Sequence, residues 1–123
     1  MAPPGTTRPT GLKRLKGALR YSLQGLQAAF RHEAAFRQEL AVFAVLGPLA
    51  LWLDVSRTEK LMLILSMLAV IIVELLNSAI ESLADKVSPD HDVLVGRAKD
   101  LASAAVFLSL LCAGAVWLVV LLP

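Results

Sequence analysis

Ionisable side chains are scarce in this chain: Asp, Glu, Lys and Arg make up 18% of its 123 residues, against 57% hydrophobic. Soluble domains carry about 25% charged residues, so an ordinary soluble domain is excluded and one small membrane domain is expected. Cysteine is nearly absent. The lone Cys112 excludes an intrachain disulfide and, inside an apolar run, reads as a small filler. The familiar phosphate-binding loops are missing too: Gly11 to Gly17 lacks the Gly-Lys-Ser/Thr ending of a P-loop, and no kinase glycine-rich loop occurs. His32 and His91 stand alone without ligand spacing, which reads as interfacial polarity rather than metal ligation. The amino-terminal segment lacks the succession of basic region, apolar core and cleavage site, so removal of a presequence is not expected.

What is present is hydrocarbon. Three runs carry no charge, Leu40 to Leu53, Leu61 to Val73 and Leu101 to Pro123, and the last alone exceeds the roughly 20 residues that span a bilayer. The first two reach that length through flanking residues, which places transmembrane helices at about 34–53, 60–85 and 98–122. Residues 1–10, rich in Pro, Gly and Thr, are expected to be disordered, and 11–123 to form a single domain. Leu12, Leu15, Leu19, Leu23, Leu26 and Phe30 recur at spacings of three and four, while Lys13, Arg14, Lys16 and Arg20 fall on other faces. That pattern predicts a basic amphipathic helix over about 11–32, lying on an anionic membrane surface. Gly47-Pro48 predicts a bend in the first span.

Basic residues set the orientation. Seven Lys or Arg precede the uncharged run at Leu40, two lie in the Asp54 to Lys60 turn, and three lie between Asp85 and Asp100. The positive-inside rule makes the N-terminal segment and the second loop cytoplasmic, with Trp52 and Trp117 near the opposite face and the C-terminus outside the cytoplasm.

Against this background the acids of the second span stand out. A charge near the bilayer centre costs roughly 2.5 to 3.5 kcal/mol even on lenient scales, so Glu74 and Glu81 need a reason to be there. Seven residues return a helix to nearly the same face, with Asn77 and Asp85 close to the same stripe. A polar strip therefore descends from the cytoplasmic surface at Asp85 to Glu74. Three uses are open: helix association, an ion pathway, and chemistry. Ionisable groups are missing from the outer half of every span, which argues against a through-path. On the cytoplasmic side Glu33 and Glu39 bracket Arg37, and Arg97, Lys99 and Asp100 cluster before the third span. Carboxylates hold magnesium and Lys or Arg neutralises phosphate, so a nucleotide site at the membrane surface is chemically possible. The bland alternative is a set of interfacial charges snorkelling at helix ends.

Three segments together resemble the small bacterial integral-membrane diacylglycerol kinases: Glu33-Ala-Ala-Phe-Arg-Gln-Glu39, Glu74-Leu-Leu-Asn-Ser-Ala-Ile-Glu81 followed by Asp85, and Gly96-Arg-Ala-Lys-Asp100 with Ser103-Ala-Ala. Order and spacing agree from about Arg14 to Leu122. The resemblance implies an all-α membrane protein, a homotrimer of subunits each with one surface helix and three transmembrane helices, and active sites shared between subunits. It implies transfer of the ATP γ-phosphoryl group to diacylglycerol in the bacterial inner membrane, giving phosphatidic acid. By the same resemblance Glu74 is the general base, and Glu33 and Glu81 hold the magnesium that accompanies ATP. Arg14, Tyr21, Asp90, His91, Asp92, Lys99 and Asp100 match nucleotide-contacting positions. Arg37, Glu39, Asn77, Ser103 and Trp117 match substrate-contacting or supporting positions. Undecaprenol kinases of Gram-positive bacteria share the acidic and Lys-Asp motifs and form the nearest alternative. A non-enzymatic helix bundle gives no account of Glu33, Lys99 and Asp100 on one membrane face.

Overall fold

The computed structural model describes residues 10–88, 90 and 92–123; the expected disordered stretch 1–10 lies, apart from Thr10, outside them, as does His91. The described residues form α1 (Leu12–His32), α2 (Ala34–Trp52), α3 (Arg57–Val87) and α4 (Val93–Leu121), and no strand. The last three are each long and apolar enough to cross a membrane. The molecule is an all-α membrane protein.

The apolar stripe of α1 stays largely uncovered by the described residues. Leu12, Leu15, Leu19, Leu23, Leu26 and Phe30 are all exposed, and the residue that α1 buries is the small Ala29. A helix that keeps its leucines outside and docks through alanine is built to lie on an apolar medium. Ala29 packs with Phe36 of α2 and Ile71 of α3, with Phe43 and Leu75 against them, so one corner joins three helices.

The two later helices start earlier than their apolar runs, and capping is the reason. Before α3, Ser56 Oγ accepts from the Glu59 N–H at 3.1 Å while Glu59 Oε1 accepts from the Ser56 N–H at 3.1 Å, a reciprocal capping box that moves the start to Arg57. Before α4, Asp92 Oδ1 accepts from the N–H groups of Leu94 and Val95 at 2.9 and 3.0 Å, which starts the helix at Val93. At the expected bend, α2 runs unbroken through Pro48, although proline leaves the Ala44 carbonyl without its usual donor. Gly47 is buried there, and a Cβ in its place would meet the Phe43 ring at 3.3 Å.

Helix lengths place the polar strip. At 1.5 Å per residue, α2 with 19 residues is about 28 Å long and α3 with 31 is about 46 Å. The two are joined through the short Leu53 to Ser56 turn, so the excess of α3 lies entirely at its other end. Packing of Phe36 on Ile71 and Leu75 fixes where α2 begins along α3. Glu74 sits at that level. Asn77, Glu81 and Asp85 lie beyond it, where α3 packs against α4 and faces the second half of α1.

Candidate functional site

The site is built at the α1–α2 corner. Glu33 is the single extended residue between two helices, with φ −115° and ψ 105°; its N–H donates to Ala29 O at 2.9 Å and its carbonyl accepts from the Arg37 N–H at 3.2 Å. The Arg37 guanidinium reaches back to the end of α1 and donates to Phe30 O at 2.8 Å and Arg31 O at 3.3 Å. A basic side chain satisfying the last carbonyls of a helix is a C-terminal cap. Arg37 thus braces the corner that presents Glu33.

Across the corner stands Glu74, 4% exposed and the most buried charged residue described. Glu33 and Glu81 lie within electrostatic range of its carboxylate, and so does Glu39 of α2. Three other acids thus act on the charge of Glu74. Asn77 donates through Nδ2 to Glu81 Oε1 at 3.4 Å, a long contact, and its own Oδ1 is buried without a partner. Ser78 is also buried, with Oγ unpartnered. Sequence reasoning passed over Ser78; its signal was its place, four residues after Glu74 and three before Glu81 on the same strip.

Grooves run along both sides of α3. One, of about 540 Å³, separates α1 from α3 and is lined by Ser22, Gly25, Ala29, Glu33, Ser78 and Ser82. The other, about 340 Å³, lies among α2, α3 and α4 between Glu39, Met67, Val70, Gly114 and Trp117. Glu39 Oε2 and Trp117 Nε1 are both buried there without hydrogen-bond partners. Trp52 is 85% exposed at the end of α2, as an interfacial anchor is expected to be, whereas Trp117 is half-buried and lines this groove.

The basic component comes from α4. Lys99 Nζ donates to Asp85 Oδ1 at 2.6 Å, which links α4 to the end of α3. Asp100 and Ser103 are exposed on α4, and Asp90 is exposed in the preceding turn, where its carbonyl accepts from Ser88 Oγ at 2.8 Å. Asp92 serves as the α4 cap. Arg14 and Tyr21 lie exposed on the first half of α1; Arg20 stacks on the Tyr21 ring at 5.4 Å, and no hydrogen bond among the described residues joins either to the acids. The fold sets Glu33, Glu39, Asn77 and Glu81 around Glu74.

No group of three His, Cys, Asp or Glu among the described residues is close enough to hold a metal ion. Magnesium rarely needs such a cage. It is usually held by one or two carboxylates, with phosphate oxygens and water completing the shell, and Glu33 and Glu81 fit that more modest demand.

Comparisons with known proteins identify the family. A family model described as prokaryotic diacylglycerol kinase matches residues 20–121. The diacylglycerol kinase of Pseudomonas aeruginosa is 48% identical over 122 residues, covering 99% of each chain. The diacylglycerol kinase of Haemophilus influenzae is 44% identical over 110 residues, 89% of this chain and 93% of the relative. That of Escherichia coli K12 is 44% identical over 112 residues, 91% and 92% respectively. The matched span contains all four helices save the first turns of α1, and with it every acid of the site. The chain belongs to the prokaryotic diacylglycerol kinase family.

Proposed function

We propose that this protein phosphorylates diacylglycerol with ATP at the cytoplasmic face of the bacterial inner membrane, yielding phosphatidic acid and ADP for phospholipid synthesis and lipid recycling. The observation that carries the reading is the placing of buried Glu74 where α2 begins, beside Glu33 and Glu81. A length of about 28 Å for α2, close to the hydrocarbon thickness, supports a position for Glu74 at the headgroup boundary rather than mid-bilayer. A lipid hydroxyl sits at that depth, and ATP approaches it from the aqueous side.

In this reading Glu74 takes the proton of the lipid hydroxyl as its oxygen bonds to the γ-phosphorus. The bond from that phosphorus to the β–γ bridging oxygen breaks, and ADP leaves with the electron pair. Glu33 and Glu81 would hold the magnesium that comes with ATP, whose charge would offset that of the phosphates. Arg14, Tyr21, Asp90, His91, Asp92, Lys99 and Asp100 contact the nucleotide. Arg37 braces Glu33, and Glu39, Asn77, Ser103 and Trp117 support the lipid side.

One feature favours a homotrimer with shared sites. The one buried residue of α4 is Ala102, while Leu101, Phe107, Leu108, Leu111 and Leu118 are exposed, so apolar surface is available to lipid and to other copies. The N-terminus is cytoplasmic and the C-terminus periplasmic, by the excess of basic residues before α2 and between α3 and α4.

The decisive experiment offers purified protein labelled ATP and magnesium in mixed micelles containing diacylglycerol or undecaprenol. Label is expected in phosphatidic acid. Label in the polyprenol alone reassigns the acceptor, and label in neither lipid sinks the kinase reading.

A further inference from the structure

The one ion pair among the described residues joins Lys99 Nζ of α4 to Asp85 Oδ1 of α3 at 2.6 Å. The two side chains are 42% and 66% exposed, and exposed pairs contribute little to stability, so a stabilising role does not explain it. Helix electrostatics work against the acid as well. Asp85 falls in the last turn of α3, beside the carbonyl end of the helix dipole, where an acid is disfavoured. The pair therefore has to be accounted for by what it aims.

Asp85 follows Glu81 by four residues and Asn77 by eight, so the three occupy successive turns of one face. An unpaired lysine ammonium sweeps a wide volume on its four-carbon stem, whereas one held by a carboxylate on the neighbouring helix is confined. Asp85 engages one of the three ammonium donors. The other two are left for a second ligand, and Glu81 is the next acid whose charge acts on the ammonium. Confinement thus keeps the cation at the edge of the acidic strip, on the side from which a polyphosphate approaches the metal-binding carboxylates.

We infer that Asp85 is the positioning residue of Lys99, aiming its ammonium at the phosphates of the bound nucleotide. The inference rests on the reading of Lys99 as a nucleotide contact. The same physical solution serves protein kinases on an unrelated fold, where a Lys–Glu ion pair must be in place before the lysine engages the phosphates. Here the acid comes from the end of one membrane helix and the lysine from the start of the next. Joining α3 to α4 in this way also couples the nucleotide side of the site to the α3–α4 hairpin.

The test is steady-state kinetics of the full chain in mixed micelles, varying magnesium-ATP and diacylglycerol separately, for Asp85→Asn, Asp85→Glu, Lys99→Met and the Asp85→Asn/Lys99→Met double variant. Loss of a charged phosphate contact predicts a rise of about tenfold or more in the ATP KM for Lys99→Met. Loss of aim alone predicts about three- to tenfold for Asp85→Asn, with the lipid KM unchanged and part of the loss recovered in Asp85→Glu. Because Asp85 acts through Lys99, the double variant should match Lys99→Met alone. An unchanged or lowered ATP KM in Asp85→Asn overturns the inference, as does an equal effect of that substitution with and without Lys99. Parallel changes in both KM values together with a lowered thermal midpoint also overturn it, since that pattern marks a merely structural residue. A normal ATP KM in Lys99→Met removes instead the assignment of Lys99 to the nucleotide.

Discussion

The two ends of the α3 helix are finished differently. At the Trp52 to Lys60 end the polar groups close on one another: Ser56 and Glu59 cap reciprocally, and Lys60 Nζ donates to the Leu51 carbonyl at 2.8 Å. At the other end Asn77 Oδ1 and Ser78 Oγ, beside Glu74, are buried with no partner at hydrogen-bond distance among the described residues, and Glu39 Oε2, facing α3 from α2, is in the same condition. Buried polar atoms in native proteins are nearly always hydrogen-bonded, so unsatisfied ones gathered around several acids call for an explanation. One end is a structural corner, complete within the chain. The other has hydrogen-bonding capacity left over for ligands or neighbouring copies.

By that contrast, substitutions at the open end impair chemistry and those at the closed end impair stability. The largest effect is expected for Glu74→Gln: kcat falls by about 10² to 10⁴-fold, the range of a lost general base, while nucleotide binding persists. Wild-type turnover in that variant removes Glu74 as the base. Glu81→Ala should raise the magnesium concentration needed for half-maximal activity by about tenfold, the scale of one lost charged contact. An unshifted magnesium titration would detach Glu81 from the metal.

At the closed end the effects are smaller and of another kind. Ser56→Ala should lower stability by about 1 kcal/mol in detergent unfolding, with activity per folded molecule unchanged. A specific loss of turnover there would break the contrast between the two ends. Lys60→Met removes one donor to a carbonyl and should cost no more than about 1 kcal/mol, again with kinetics intact.

The all-α architecture was legible because hydropathy reports it directly: the uncharged runs became α2, α3 and α4, and the leucine spacing became α1. Ends were less legible. Ser56 and Asp92 lie outside the apolar runs, so their capping moved two helix starts into segments that hydropathy reads as turn. At Gly47-Pro48, where a bend was expected, the backbone is helical on both sides of the proline. The strip Glu74, Asn77, Glu81 and Asp85 followed from helical period alone. Glu33 and Glu39 were recognisable as candidates, but nothing in their spacing told which strip they would face.

The sequence by itself determined the spans, the amphipathic stripe and the acids sharing a face, because those depend on periodicity and transfer energy, which are local. Only the tertiary structure decided that Arg37 caps α1, that Trp117 lines a groove beside Glu39, and that Lys99 is tied to Asp85. Each of those depends on how separate elements pack. The level of Glu74 is of the same kind: it is set by the packing of Phe36 of α2 on Ile71 of α3, a contact between residues far apart in the chain.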